Sequence, residues 1–513
     1  MALLRPRAAS APASAQPRAA PQGPQPRGSL AVVTGLTAVA LVASLAFLGS
    51  ESFWLDEAYS VFLARLPQGE FWDVVGSSQA NASLYYALLR GWIALGTGET
   101  IVRLLSVIPA VAAVPVCYAV GRRLFGSRVG LVAAALLAVN AFAIQYAQEA
   151  RSYSLVLFLV LLSTYLFVLA VQEEGMGTWA AYVVVTALAG YAHFFAWFVV
   201  LAHLVSLPFL DRKPRTRTLL AAYGGVAALS APLVAFLLST SGNQIGWIPG
   251  LSVGRVASAL GQLAGGRTVL GAVVLGAILG ACVLFAFRAL LGQGRRRARS
   301  VDAWSRALVC AWLAIPIAGA LAISLLKPIW VDKYLIVTLP GLALAAALGF
   351  STWKPALARV GLATLLIVSL SQVVVLHVSD DKDDWRSATE YVIVRSNPGD
   401  GIAFHRPFGR FPFGYYVDRT LRAEGAEIPT PISAVFDRSR GSNTPGPRDI
   451  PTRVIATAAR PFDRVWIVLN PVLSVTRDDI GTSLQPGFVR VETTAFRDVL
   501  VELYVRRPAS DQN

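Results

Sequence analysis

The sequence predicts an α-helical polytopic membrane protein of about eleven spans, carrying a small α/β domain at its C-terminal end, outside the bilayer. Three observations predict it. Of 513 residues, 55% are hydrophobic and 15% charged, with a mean hydropathy of +0.56, well under the roughly 25% charge of a soluble domain. Apolar runs long enough for membrane helices recur near 30–49, 101–120, 129–147, 152–171, 178–192, 194–210, 218–240, 268–290, 304–326, 334–350 and 359–378. After Val378 the composition switches to DDKDDWRSATEYVIVRSNPGDGIAFHRP, which no bilayer would hold.

Residues 1–28 are rich in Ala, Pro, Gln and Arg and nearly lack large apolar side chains; they read as a disordered cytoplasmic tail. The run Leu30 to Gly49 has the charge order of a signal peptide. It lies too far from the start and is too long for one, and no small-residue cleavage site stands before Phe53-Trp54, so it reads as a retained anchor. Residues 29–378 then form the membrane domain, with 50–100 as its first external loop. Within that loop Leu84 to Leu95 is apolar but short and carries Arg90, so it reads as an amphipathic helix lying flat at the interface. The runs 178–192 and 194–210 are parted only by His193 and read as two short spans, because a single helix would invert everything after it.

The basic clusters fix the orientation. With the N-terminus inside, Arg122, Arg123 and Arg128; Arg212, Lys213, Arg215 and Arg217; Arg295, Arg296, Arg297 and Arg299; and Lys354 and Arg359 all fall on the cytoplasmic side of the cell membrane. The net charge of +15 is thus topological. It forms no basic stripe and surrounds no recognition motif, which argues against nucleic acid. Cys117, Cys282 and Cys310 lie inside apolar segments, an odd count without CxxC spacing, so neither a disulfide framework nor a zinc site is expected. Beyond 378, a helix over Asp384–Val394, a turn at Asn397–Asp400 and strands at 401–405, 464–469, 488–494 and 498–506 make residues 379–513 an extracytoplasmic α/β domain, with 420–463 as loop.

This topology brings five polar segments to the outer face: Asp56-Glu57, 148–153, 191–193, 241–267 and 327–334. An ionised carboxylate beside hydrocarbon is costly. Adjacent helical residues project about 100° apart, so one acid of the pair suits a base while its neighbour positions a partner. The bland alternative is that Asp56 caps the helix AYSVFLARL, with Glu57 at its positive end. Gln148, Glu149, Arg151 and Tyr153 suit a phosphate or a sugar; alternatively Glu149 and Arg151 pair to seal a helix end. His193, among aromatics, suits a backbone carbonyl, a phosphate or a hydroxyl, and lacks a second metal ligand nearby in sequence. Lys333 and Tyr334 open a span where Lys333 either snorkels or meets a lipid phosphate, with Asp332 beside it. Together these side chains suit a substrate with a greasy tail, an interfacial phosphate and a polar group beyond, which is the shape of a lipid-phosphate sugar.

FWLDEAYSVFLAR, LYYALLRGW, the run ETIVRLLSVIPAVAAVPVCYAVGRRLFGSRVG through QYAQEARSYS, YAHFFAWFVVLAH, DKYLIVTLPGLAL and DDWRSATEYV occur in the order typical of bacterial membrane glycosyltransferases of the GT-C fold. The chain resembles those related to dolichyl-phosphate-mannose protein mannosyltransferases and, more remotely, the aminoarabinose transferases of lipid A. The resemblance implies an inverting transfer of a monosaccharide, most often mannose, from a polyprenyl-phosphate donor to an extracytoplasmic glycan, lipid or protein acceptor. It implies Asp56 as general base and Glu57 orienting it or the acceptor. Glu149 and Arg151 would shape the pocket, Arg103 would make a structural contact, and His193, Lys333 and Tyr334 would face the carrier phosphate. Tyr85 and Asn81 stand in the same loop as substrate-facing candidates. Many relatives carry His-Pro-Pro where this chain has Asn81-Ala82-Ser83, and Asn81 can hydrogen-bond but cannot become cationic. No cofactor is expected; the carboxylates Asp56, Glu57 and Glu149 would suit a divalent cation with phosphate oxygens on charge alone. Two other classes compete: a lipid-linked sugar transporter or flippase, which would place ionisable residues near the midplane in paired halves, and a non-catalytic envelope scaffold.

Overall fold

A computed structural model of the chain describes residues 27–239, 248–291, 300–379, 382–424, 430–431, 452–470 and 474–508. Of the tail expected over 1–28, residues 1–26 lie outside the described residues, as does the Arg295–Arg299 cluster, while Arg27 and Gly28 already belong to the first helix. Each apolar run read from the sequence is helical over most of its described length. In chain order the membrane body contains α1 (Arg27–Leu45), α5 (Glu99–Phe125), α6 (Ser127–Ala138), α7 (Ala141–Ala147), α8 (Tyr153–Glu173), α9 (Met176–Ala192), α10 (Ala196–Ser206), α11 (Thr216–Ser239), the short α12 (Val253–Leu263), α13 (Val269–Leu291), α14 (Val301–Ser324), α15 (Leu339–Phe350, continuing a 3-10 helix over Asp332–Thr338) and α16 (Pro355–Val378). Among the described residues eight helices are long and apolar enough to cross a membrane; α6 and α7 make a ninth if taken as one span bent by 58°, and α9 and α10 are shorter apolar helices. The bend follows Asn140, whose side chain accepts the Ala143 N–H and donates to the Leu263 carbonyl, replacing backbone bonds that a straight helix would make.

Between α1 and α5 the first loop folds into α2 (Leu55–Arg65), α3 (Gln68–Ser78) and α4 (Ser83–Trp92). The last of these is the short amphipathic helix read from the sequence, with Tyr85, Tyr86 and Leu89 turned inward. Its Arg90 donates to the carbonyls of Ala64 and Leu66 and lies over the Phe71 ring, so the charge that barred a span has polar partners in the loop itself. The antiparallel pair α5 and α6 depends on glycine. A Cβ on Gly130 would lie 2.7 Å from the Tyr118 carbonyl oxygen, and one on Gly121 would lie 2.7 Å from the Gly130 Cα; the connecting Gly126 has φ +93°, a conformation costly for other residues. Small residues let membrane helices approach this closely.

The C-terminal domain is a mixed sheet in the order β2-β1-β3-β5-β4, built from β1 (Gly401–Phe404), β2 (Thr430–Pro431), β3 (Arg464–Leu469), β4 (Phe488–Phe496) and β5 (Val499–Arg506). β1 runs parallel to β2 and β3, whereas β5 is antiparallel to β3 and β4. The helix α17 (Trp385–Arg395) and the four longer strands match the sequence reading within a few residues. The expected loop over 420–463 is corrected at both ends: α18 (Arg410–Glu424) enters it and α19 (Thr452–Ala459) leaves it, while the residues between, apart from β2, lie outside the described ones. Helix α19 forms because Ile455, Ala458 and Ala459, at helical spacing, cover the sheet. One apolar core joins the domain to the first loop, with Phe53, Tyr59, Phe71 and Tyr86 packed among Trp385, Phe404, Phe411, Tyr416 and Trp466.

Candidate functional site

The site grows from the start of α2. Trp54 is the helix cap and makes no side-chain cap bond, so Asp56 is no N-cap; both acids lie in the first turn and point apart. Glu57 turns inward and is fully buried. Arg103 Nε donates to Glu57 Oε1 at 2.8 Å and Arg103 Nη2 to Oε2 at 2.8 Å, the Ala150 N–H donates to Oε1 at 2.9 Å, and Lys382 Nζ lies 3.3 Å from Oε2. Burial works against its ionisation, yet Arg103 and Lys382 outweigh burial and hold the Glu57 carboxyl down at about 2. Arg103 spends its remaining donors on the carbonyls of Leu48, Glu51 and Ser52. The residue read as a structural contact is therefore the hub that binds α1, the first loop and α5.

Asp56 turns the other way and keeps 34% of its side chain exposed; its Oδ2 lies 3.5 Å from Lys333 Nζ and 3.7 Å from Arg151 Nη2. Burial would raise its pKa, but the charges of Arg151 and Lys333 prevail and hold its carboxyl below the usual range. Lys333 sits over the Trp54 and Tyr153 rings, 4.9 and 5.6 Å from their centroids. Arg151 donates to the Tyr86 hydroxyl at 2.8 Å. Arg151 pairs with Asp56 rather than with Glu149, the alternative that the sequence left open. Glu149 is buried instead, its Oε2 without a hydrogen-bond partner, and burial pushes its carboxyl up to about 7 against the opposing pull of Lys382 and Lys333.

His193 follows α9 and is also buried. Its Nδ1 accepts the Phe195 N–H at 3.2 Å, which puts the proton of the neutral ring on Nε2, a buried donor without an acceptor. Burial, reinforced by Arg151 and Lys333, lowers its pKa to about 3, so it offers a hydrogen bond and no charge. Tyr334 packs on it, ring centroids 4.6 Å apart. Three further candidates have protein partners. Gln148 donates to the carbonyls of Ser44 and Ala46, the Tyr85 hydroxyl meets Ser106 Oγ, and Asn81 Oδ1 accepts the Phe194 N–H at 2.9 Å, tying the first loop to the α9–α10 turn. Of the 241–267 segment, the described part reaches this rim through Arg267, which donates to Gln145. Sequence reasoning missed Tyr86 and Lys382. Among the described residues no three His, Cys, Asp or Glu side chains gather as metal ligands, and both oxygens of Glu57 are already engaged.

Four cations, Arg103, Arg151, Lys333 and Lys382, thus meet three carboxylates, Asp56, Glu57 and Glu149. The balance is positive, and more so when Glu149 holds its proton. The site suits an anion brought beside a half-exposed carboxylate.

Residues 82–238 match the family described as dolichyl-phosphate-mannose-protein mannosyltransferase. ArnT from Cupriavidus metallidurans, solved in the apo state, superposes with a TM-score of 0.57 over 93% of this chain and 98% of its own at 13% identity. The same protein bound to undecaprenyl phosphate gives 0.57 over the same shares at 10% identity. The Archaeoglobus fulgidus oligosaccharyltransferase tethered to an acceptor peptide gives 0.52 over 92% of this chain and 74% of its own at 12% identity. No curated protein matches in sequence. The chain has the GT-C fold, and it is similar to the PMT and ArnT type of membrane glycosyltransferase, in agreement with the motifs.

Proposed function

We propose that this chain is an inverting membrane glycosyltransferase that moves a monosaccharide, mannose in the first instance, from a polyprenyl-phosphate carrier to an extracytoplasmic glycan, lipid or protein. The observation that carries the reading is the division of labour in the acid pair: Glu57 is sealed and fully bonded, whereas Asp56 is partly open and, among the described residues, held by two cations that a phosphate could claim. The matched family segment and the undecaprenyl phosphate bound by the structurally similar ArnT support the donor class. The basic clusters at the opposite ends of the helices support an outward-facing site: Arg103 and Arg122 stand nineteen residues apart on α5, about 28 Å of helix.

In this mechanism the carrier phosphate draws Lys333 and Arg151 toward itself. Losing them raises the pKa of Asp56, which turns a weak base into a competent one when donor is present. The acceptor hydroxyl attacks the anomeric carbon and gives its proton to the Asp56 carboxylate. The bond from that carbon to the phosphate oxygen breaks, the electron pair leaves with the phosphate, and the anomeric centre inverts. Lys333, Arg151 and the Nε2–H of His193 stabilise the departing charge. Asn81, a backbone cap here, supplies no cation to this step.

The test is transfer of label from polyprenyl-phosphate mannose to membrane acceptors by purified, reconstituted protein. Absence of transfer from mannose and from other polyprenyl-phosphate sugars would remove the reading. The Lys333→Met variant is expected to raise the donor KM by about 10-fold and to lower kcat, as expected for a lost charge-assisted contact to phosphate. An unchanged KM would take Lys333 out of the donor site.

A further inference from the structure

The C-terminal domain reaches into the site. Lys382 Nζ donates to the Gln148 carbonyl at 3.0 Å as well as approaching Glu57 Oε2 at 3.3 Å, and only 13% of its side chain is exposed. It therefore bridges the first loop, which carries Asp56, and the Gln148–Ser152 turn, which carries Arg151. Its own backbone belongs to the sheet domain. Arg497, in the β4–β5 turn, donates to the Lys382 carbonyl; the Asp384 N–H donates to the Arg497 carbonyl; and Asn470, at the end of β3, donates to Asp383.

That domain is seated firmly on the first loop. Ser52 Oγ bonds the Asp383 carbonyl and accepts the Trp385 N–H. The Tyr416 hydroxyl accepts the Phe53 N–H and donates to Glu99, which also pairs with Arg386 and Arg419. These contacts leave the domain little freedom to lift away without withdrawing Lys382.

We propose that Lys382 is a positioning residue of the candidate site and that the C-terminal domain is thereby part of the catalytic unit, its seat on the first loop fixing the geometry of Asp56 and Arg151. The proposal rests on the glycosyltransferase reading for its kinetic arm alone. Lys382 also neighbours Glu149, which faces Lys333, Glu57, Asp56, Tyr146 and Arg267 as well. Removing the Lys382 charge disfavours the Glu149 carboxylate, and an arginine in its place restores it.

The experiment compares full-length Lys382→Met and Lys382→Arg with the parent protein. In the transfer assay Lys382→Met lowers kcat by about 10-fold or more while the donor KM stays within about 3-fold, the mark of a lost alignment rather than lost binding, and Lys382→Arg recovers most of kcat. Infrared titration of the protonated Glu149 carboxyl, assigned by its loss in Glu149→Gln, shows a midpoint raised by about one pH unit in Lys382→Met and an unshifted one in Lys382→Arg. Parent-like kcat in Lys382→Met, or a Glu149 midpoint that does not move, overturns the proposal. Should the parent protein transfer no sugar from any donor, the functional reading fails, and the infrared midpoint alone decides the placement of Lys382.

Discussion

Replacement of Asp56 by asparagine is expected to lower kcat for sugar transfer by about 10²- to 10⁴-fold, the usual worth of a general base, without raising the donor KM. The variant keeps the shape of the side chain but cannot take a proton. It also frees Lys333 and Arg151 from their carboxylate partner, so undecaprenyl phosphate should bind as tightly as before or more tightly. That pairing of effects separates a base from a binding residue, which would lose affinity and keep turnover. It also separates an enzyme from a lipid-linked sugar transporter, since a flippase stripped of this acid would have no acceptor-dependent rate to lose. Thermal unfolding of Asp56→Asn should stay close to that of the parent protein, because the side chain is partly exposed and its two ion pairs among the described residues are long.

The contrast between Asp56 and its neighbour also shows what a single sequence reveals. Period and composition sufficed for the apolar runs, because a bilayer imposes length and satisfaction of the backbone on each segment by itself. Position relative to those runs singled out Asp56, Arg151, His193 and Lys333. The roles of individual side chains were less legible, because they depend on partners distant along the chain: Glu57 meets Ala150, Asp56 meets Lys333, and Lys382 meets Glu57. Within DDKDDW, Lys382 looks like one charge on a solvated face, and only the fold shows it entering a buried site. Tyr86 stands in the sequence only as one aromatic of LYY, and the fold sets its hydroxyl on Arg151. Gln148, a polar side chain at a membrane boundary, has no partner visible along the sequence; the carbonyls of Ser44 and Ala46, where α1 ends, accept from it.

Replacement of Arg103 by methionine is expected to destabilise the protein by about 3–5 kcal/mol, the usual cost of leaving one partner of a buried ion pair alone. Glu57 would retain Lys382 and the Ala150 N–H but lose its bidentate partner, and the carbonyls of Leu48, Glu51 and Ser52 would each lose a donor. The pH dependence carries the same signature. Glu57 falls from the ordinary 4.5 to about 2 on folding, so its contribution is complete above pH 4.5 and is lost as pH drops through 2. A shift of this size corresponds to a contribution on the order of 3 kcal/mol. In Arg103→Met that acid-sensitive part of the stability curve should flatten, as measured by thermal unfolding of the detergent-solubilised protein at a series of pH values. Adding Glu57→Gln to Arg103→Met should restore part of the loss, because it removes the stranded charge, whereas Glu57→Gln alone leaves a buried guanidinium short of its anion. If the double variant is instead as unstable as the sum of the two single variants, the pair is not coupled and Arg103 acts chiefly through the three carbonyls that it ties together.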